Sequence, residues 1–253
     1  MAGVQAAIGS SPITLVYVAL AIFVAFVVRG FSGFGSSLIA VSALTIVLAP
    51  ALVVPAVFAL EVLASISLLP AVWQQIDWRS LRWVIAGCAI ATPIGVLALA
   101  EAPVDLMRLA ISALVVCAAI VLLTERTAQR SPAPWMTFGV GCAVGILNGA
   151  SGMGGPPAVI FYFATVAASV GRATLIAFFV FTDLYALLLA STGGLLTTGV
   201  IVLAIYAVPF VLLGIWFGNK GFIRTNPKSL RKLVLWLLIG LGLAGVISAA
   251  VRA

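Results

Sequence analysis

The chain has 253 residues, of which 64% are hydrophobic and 8% charged, and its net charge is +7. Soluble domains carry roughly 25% charged residues, so water is not the main solvent of this chain. It contains no histidine, which excludes His-based metal sites, catalytic triads and imidazole proton relays, and it has no GxxxxGK[ST] loop for ATP phosphates. We therefore expect an all-α polytopic membrane protein that is not an enzyme and uses no cofactor.

Ten apolar runs follow one another along the chain. A membrane-spanning helix needs about 20 mostly apolar residues, and the gaps between these runs are too short for a separate soluble domain. The runs cover residues 12–28, 36–49, 51–70, 83–100, 106–123, 135–148, 156–169, 172–191, 199–217 and 230–250. Cys88, Cys117 and Cys142 fall within runs and lack CxxC spacing, so we expect them to pack as small hydrophobic residues.

The basic residues are distributed unevenly between the two sides of the membrane. If all ten runs cross fully or nearly so, alternate loops share a side, and one side receives ten of the thirteen Lys and Arg residues. These are Arg79, Arg82, Arg126, Arg130, Arg172, Lys220, Arg224, Lys228, Arg231 and Lys232. The positive-inside rule places this side in the cytoplasm and both termini outside it. The charge thus indicates orientation in a bacterial inner membrane and contact with lipid headgroups, and we expect no nucleic-acid partner.

The two halves of the chain repeat a pattern of small and charged residues. Residues 29–36 read RGFSGFGS, residues 148–155 read NGASGMGG, and the two segments align at an offset of 119. Three further pairs match at similar offsets: Glu61 and Asp183, Pro93 and Pro209, and Arg108 and Arg231. Because each half holds five runs, an odd number, the second half is inverted, as in many secondary transporters. We expect a first repeat over 1–123, a cytoplasmic linker over 124–134 and a second repeat over 135–253.

Each glycine cluster predicts a helix break near the bilayer midplane. Gly destabilises a helix by about 1 kcal/mol relative to Ala, and freed backbone groups are tolerated there only when buried in protein or lining a cavity. A break followed by a helix start presents N–H groups and serine hydroxyls, which suit an anion. The candidate substrate-binding residues are Arg29, Gly30, Ser32, Gly33, Gly35, Ser36, Asn148, Gly149, Ser151, Gly152, Gly154 and Gly155. The alternative is close helix packing by small residues, which we favour for Gly95, Gly141, Gly145, Gly240, Gly242 and Gly245.

Arg29, Glu61 and Asp183 are charged residues at or within apolar runs. A charge at the bilayer centre costs about 2.5–3.5 kcal/mol on insertion scales, so such residues normally face a cavity or a partner. Arg29 either gives two donors to a small oxyanion or extends to the cytoplasmic edge. The two carboxylates would repel an anion unless they pair with arginine or carry a proton, and a proton would make them coupling groups. Their alternative role is structural, in hydrogen bonds between helices.

The GxSGxG element of each half, the five-plus-five hydrophobic plan and the length resemble the TauE/SafE family of membrane permeases, often called sulfite exporters. In that family a proline usually follows the glycine-rich segment. This chain has Pro156 and Pro157 there in its second half, but Ser36 and Ser37 in its first. The resemblance implies a secondary transporter that exports sulfite, a sulfonate or a related organic anion. Transport by alternating access between the halves would then be either passive or driven by the proton gradient.

Three alternatives stay open at this point. The substrate of a transporter with this plan could instead be a carboxylate or an amino-acid-like solute. An intramembrane enzyme would need a catalytic constellation, and without histidine only two carboxylates and scattered serines are available. A non-transporting subunit of a larger complex would use the glycine clusters for packing alone. Lipid-facing and protomer-facing surfaces are equally apolar, so hydropathy predicts no oligomeric state.

Overall fold

The computed structural model describes residues 11–107, 109–111, 113, 133–154, 158 and 168–222, and these residues form helices and connecting turns without a strand. The helices are α1 (Pro12–Ser32), α2 (Ser36–Thr45), α3 (Pro50–Val72), α4 (Trp78–Glu101), α5 (Pro134–Ser151), α6 (Ala168–Thr192) and α7 (Thr198–Phe222). A 3-10 turn at Trp73–Gln75 follows α3. Seven of the ten predicted runs therefore coincide with a helix. The other three, 106–123, 156–169 and 230–250, lie wholly or largely outside the described residues.

Five of these helices are long and apolar enough to cross a membrane. Their spans are Pro12–Gly30, Pro50–Gln75, Trp78–Glu101, Ser169–Thr192 and Thr198–Lys220. A helix rises about 1.5 Å per residue, so these lengths suit a hydrocarbon core about 30 Å thick. Their outer faces expose large apolar side chains such as Ile13, Ile90 and Ile205, as lipid contact requires. The chain is an integral membrane protein, as its composition predicts.

Helices α1 and α2 form an antiparallel hairpin. The hydroxyl of Tyr17, near the start of α1, donates to the carbonyl of Ala43 near the end of α2 at 2.9 Å. At the other end of the hairpin, Arg29 donates to the hydroxyl of Ser36. Helix α2 has ten residues, about 15 Å of helix, and every one of them is buried. It is therefore shielded from lipid by the surrounding helices.

Helices α1 and α7 pack side by side and run in the same direction. The hydroxyl of Tyr206 in α7 donates to the carbonyl of Leu15 near the start of α1 at 3.1 Å. Further along the pair, a β-carbon added at Gly30 would lie 2.6 Å from the carbonyl oxygen of Ile215. Since real β-carbons do not approach an oxygen so closely, glycine at position 30 permits this helix contact.

Helices α4 and α5 form the second parallel pair. Gly141 of α5 contacts the backbone of Val84, and Gly149, two turns later, contacts the carbonyl of Thr92. The two contacts are eight residues apart on both helices, so the pair keeps its register along this length. Gly95 and Gly145 meet backbone of the facing helix in the same way. Of the glycines assigned to packing from the sequence, Gly240, Gly242 and Gly245 lie outside the described residues.

Helices α3 and α6 pack against each other at the centre of the bundle in opposite directions. The backbone N–H of Asp77, just beyond α3, donates to the Thr174 hydroxyl at the start of α6 at 3.0 Å. Arg172 also reaches the Gly30 carbonyl at the end of α1, at 3.4 Å. The ends of α1, α3 and α7 and the starts of α4 and α6 therefore share one face of the bundle. Its described basic residues are Arg79, Arg82, Arg172 and Lys220.

Candidate functional site

Two helices end at the glycine clusters in the same way. Gly33 ends α1 with φ of 81° and donates its N–H to the Arg29 carbonyl at 2.7 Å. Gly152 ends α5 with φ of 69° and donates to the Asn148 carbonyl, also at 2.7 Å. Positive φ is the left-handed conformation that glycine adopts without steric penalty, which is why helices commonly end at it. These caps set Arg29 and Asn148 in the last turn of their helices.

Arg29 is fully buried and contacts side chains of three helices, polar ones from α2 and α3 and an aromatic ring from α6. Its Nη1 forms an ion pair with Glu61 of α3, and its Nη2 donates to the Ser65 hydroxyl one turn further along α3. Nη1 also donates to Ser36 at 3.4 Å, and the guanidinium carbon lies 5.0 Å from the ring centroid of Phe179. A guanidinium over an aromatic face is stabilised by a cation–π interaction. Arg29 thus points into the bundle and does not extend to the membrane edge.

The Glu61 carboxylate lies at the start of α2. The Ser36 hydroxyl donates to its Oε1, and the backbone N–H of Ser37 donates to the carboxylate as well. Gly35, with φ of 91°, turns the chain into α2 immediately before these two residues. The first N–H groups of a helix form the positive end of its dipole and favour a negative charge. The sequence led us to expect that a buried carboxylate would either pair with an arginine or carry a proton, and Glu61 pairs with Arg29.

The second half places an amide and a carboxylate at the corresponding positions. The Asn148 side chain of α5 donates to Oδ1 of Asp183 in α6 at 2.7 Å, and its own carbonyl accepts from the Gly154 N–H at 3.0 Å. Oδ2 of Asp183 is buried and has no hydrogen-bond partner among the described residues. Position 148 corresponds to position 29 at an offset of 119. Asp183 therefore has a neutral partner where Glu61 has a cation.

Arg29, Glu61 and Asp183 are the buried charged residues within the described part of the chain. Phe179, whose ring lies beside the Arg29 guanidinium, precedes Asp183 by one helical turn, and Asp183 is within electrostatic range of both other charged residues, so the three form one cluster. The cluster holds one guanidinium and two carboxyl groups. No three His, Cys, Asp or Glu side chains gather as a metal site in the ranges that the structure describes. The arrangement suits the binding of a small anion at the guanidinium and the transfer of a proton at a carboxylate.

Several of the glycines predicted to line the site also have a packing role. A β-carbon at Gly149 would lie 2.5 Å from the Thr92 carbonyl oxygen, as one at Gly30 would clash with α7. At Gly154 it would approach the side chain of Asn148 at 2.7 Å. At Gly33 it would lie 2.7 Å from the Arg172 side chain. The absence of a β-carbon at these positions is therefore accounted for by contacts within the protein.

The serines predicted to donate to the anion differ in their surroundings. Ser36 joins the Arg29 cluster, whereas the Ser151 hydroxyl donates to the Leu147 carbonyl of its own helix at 2.7 Å. Ser151 also accepts from the backbone N–H of Met153 at 3.3 Å, so it helps to end α5. The side chain of Ser32 and the whole of Gly155 lie outside the described residues.

Two members of the cluster carry no motif that would single them out in the sequence. Ser65 follows Glu61 by four residues, and Phe179 precedes Asp183 by four residues. Residues four apart lie on the same face of a helix, so each faces the cluster together with its acidic neighbour. A search for polar or aromatic residues one helical turn away from the buried carboxylates would have found both.

Comparison with known proteins identifies the family. The sulfite exporter TauE/SafE family matches residues 18–245. A protein of Cupriavidus necator named "Probable sulfite/organosulfonate exporter TauE" is 31% identical over 224 residues, which cover 83% of this chain and 85% of that protein. No solved structure matches the chain. With its apolar spanning helices and a family match over most of its own length, the chain belongs to the TauE/SafE family and is a membrane anion transporter, not an enzyme.

Proposed function

We propose that the protein is a secondary transporter that exports a small sulfur-containing or organic anion, with sulfite and sulfonates as the first substrates to test. The observation that carries the proposal is the fully buried Arg29 guanidinium, which contacts the Ser36 and Ser65 hydroxyls and forms an ion pair with Glu61. The planar fork of arginine matches two oxygens of a small oxyanion, and a buried cation attracts an anion more strongly than an exposed one. The name of the C. necator relative supports the same substrate class.

The substrate-binding region in this proposal includes both glycine clusters. Helix α2 begins beside Arg29, and the Gly152–Gly154 turn lies beside Asn148. In a transporter, such breaks near the midplane present N–H groups to the substrate. An anion held there by Arg29, Ser36 and the N–H groups at the start of α2 would contact both halves of the protein, because Phe179 and Asp183 face the same cluster.

The proposed architecture is a pair of inverted repeats, 1–123 and 135–253, joined by a linker over 124–134. Gly30 contacts Ile215, and Gly149 contacts Val96. The two contacts are equivalent at an offset of 119, because position 30 corresponds to 149 and position 96 to 215. The parallel pairs α1/α7 and α4/α5 are then equivalent, and the antiparallel pair α3/α6 relates each half to the other. Rocking of one half against the other about this central pair would give alternating access.

Proton coupling is proposed through Glu61 or Asp183. Protonation of Glu61 would weaken its ion pair with Arg29, whereas Oδ2 of Asp183 is open to a proton without the loss of any described hydrogen bond. Transport rates are measured in proteoliposomes across a pH range for the intact protein, Glu61→Gln and Asp183→Asn. We expect one substitution to remove the pH dependence. Identical pH profiles in all three proteins would reject coupling at these residues and leave a passive transporter.

We further propose a bacterial inner-membrane location with both termini outside the cytoplasm. The basic residues Arg79, Arg82, Arg172 and Lys220 lie on one face of the bundle, and Glu101 ends α4 on the opposite face. The positive-inside rule then assigns the basic face to the cytoplasm, where it would contact anionic lipid headgroups. Since α1 ends on this face, its start lies on the other side.

The first experiment is calorimetric binding of sulfite to purified protein, with a sulfonate, sulfate, acetate and an amino acid as competitors. The proposal predicts sulfite or sulfonate binding. In a Glu61→Ala background, where the Ser36 hydroxyl has no carboxylate to bind, Ser36→Ala should weaken that binding at least about tenfold, because a hydrogen bond to a charged group contributes about 1.5–3 kcal/mol. Ser42→Ala is the matched control, since Ser42 is also buried in α2 but donates to the Leu38 carbonyl of its own helix. Preference for acetate or the amino acid would reject the sulfur-containing substrate in favour of a carboxylate.

A further inference from the structure

The Glu61 carboxylate is bound by the groups that would recognise a small anion. It is 1% exposed and receives an ion pair from Arg29, a hydrogen bond from the Ser36 hydroxyl and one from the Ser37 backbone N–H. A guanidinium fork, a hydroxyl and a helix N-terminus are the donors that proteins use for phosphate, sulfate and carboxylate ligands. The protein's own carboxylate therefore fills an oxyanion site.

Two features separate this cluster from a purely structural ion pair. Nε of Arg29 is buried without a hydrogen-bond partner among the described residues, so Glu61 and the serines do not exhaust the donors of the guanidinium. Buried polar groups of this kind are rare and point to a ligand that completes the set. In addition, Asp183 of α6 is within electrostatic range of both members of the pair, and a charged carboxylate at this position would oppose the charge of Glu61.

We propose that Glu61 is a tethered anion that competes with the transported anion for Arg29. The proposal rests on the transport function above and specifies how its site is loaded. In the structure the Glu61 carboxylate occupies the site. An entering oxyanion with two or more oxygens takes over the donors of Arg29 and Ser36, and Glu61 moves away. Because one anion replaces another, the buried guanidinium is never left unpaired, which would be strongly unfavourable in a membrane interior.

The test uses Glu61→Gln and Glu61→Ala in the full-length protein, with Ser42→Ala as the control. Removing the competing charge should lower the Kd for sulfite at least about tenfold relative to the intact protein, which corresponds to about 1.4 kcal/mol, while the control keeps the original Kd. Glu61→Ala also vacates the space of a carboxylate. Formate should therefore raise the thermal unfolding temperature of Glu61→Ala at concentrations at least about tenfold lower than it needs for the intact protein, where it must first displace the Glu61 carboxylate.

The outcomes separate this proposal from the transport function. Sulfite binding to the intact protein, with an equal or higher Kd in folded Glu61→Gln, would overturn the tethered anion and leave the transport function in place. Absence of binding by sulfite, a sulfonate or formate in the intact protein and in both variants would overturn the proposed function itself. If Glu61→Gln does not fold, Glu61→Ala purified in formate takes its place. Failure of formate to stabilise that variant would then overturn the tethered anion.

Discussion

Replacing Ser65 by alanine tests whether the buried arginine depends on its neighbours in α3. The Ser65 hydroxyl is fully buried and accepts a hydrogen bond from Nη2 of Arg29. In Ser65→Ala this guanidinium N–H loses its acceptor, and a hydrogen bond to a charged group contributes about 1.5–3 kcal/mol. We expect the free energy of unfolding to fall by about that amount. At about 2–4 °C per kcal/mol, the unfolding temperature should fall by about 3–12 °C.

The assay is thermal unfolding of the purified protein in detergent, with Ser42→Ala as the reference. Ser42 is a buried serine whose hydroxyl donates to the backbone carbonyl of Leu38, a neutral acceptor within its own helix. Its replacement should lower the free energy of unfolding by about 0.5–1.5 kcal/mol, which is less than the loss expected for Ser65→Ala. In the background Arg29→Leu/Glu61→Leu, the Ser65→Ala substitution should have little effect, because its partner is absent. Equal losses in Ser65→Ala and Ser42→Ala, or an undiminished loss in that background, would refute the reasoning.

Three further predictions concern the second half of the site, helix packing and orientation. Asn148→Leu should lower the free energy of unfolding by about 1–3 kcal/mol, because Asp183 loses a hydrogen-bond donor. Adding Asp183→Leu should recover part of the lost stability in thermal unfolding, and no recovery would contradict the importance of the pair. Gly149→Ala should destabilise the protein by about 1–3 kcal/mol, because the added β-carbon overlaps the backbone of α4. Gly139→Ala is the control, since position 139 of the same helix has open space around it, and equal unfolding temperatures of the two variants would contradict the described packing. Orientation can be tested in a variant without the native cysteines. An impermeant maleimide should label Gln74→Cys from the cytoplasmic side and Thr197→Cys from the opposite side, and the reverse pattern would show that the proposed orientation is wrong.

The sequence was sufficient for the class of protein and for many of its elements. The apolar content of a segment, which is a property of neighbouring residues in the chain, distinguishes segments that lie in water from segments that lie in the membrane. Thus the apolar runs from 12–28 to 199–217 that fall within the described residues coincide with helices. The same local reasoning marked Arg29, Glu61 and Asp183, because charges are rare in apolar runs, and the structure finds all three buried.

Partners, by contrast, were decided by tertiary structure. Nothing local indicates that Arg29 pairs with Glu61, 32 positions away, or that Gly30 contacts a helix 185 positions further along the chain. Such contacts depend on which helices are adjacent and how each is rotated about its axis, and hydropathy carries no information about either. The sequence determined that the membrane interior would contain a cation and two acids. Only the packing of α1, α2, α3 and α6 decided that Glu61 pairs with Arg29 at the start of α2.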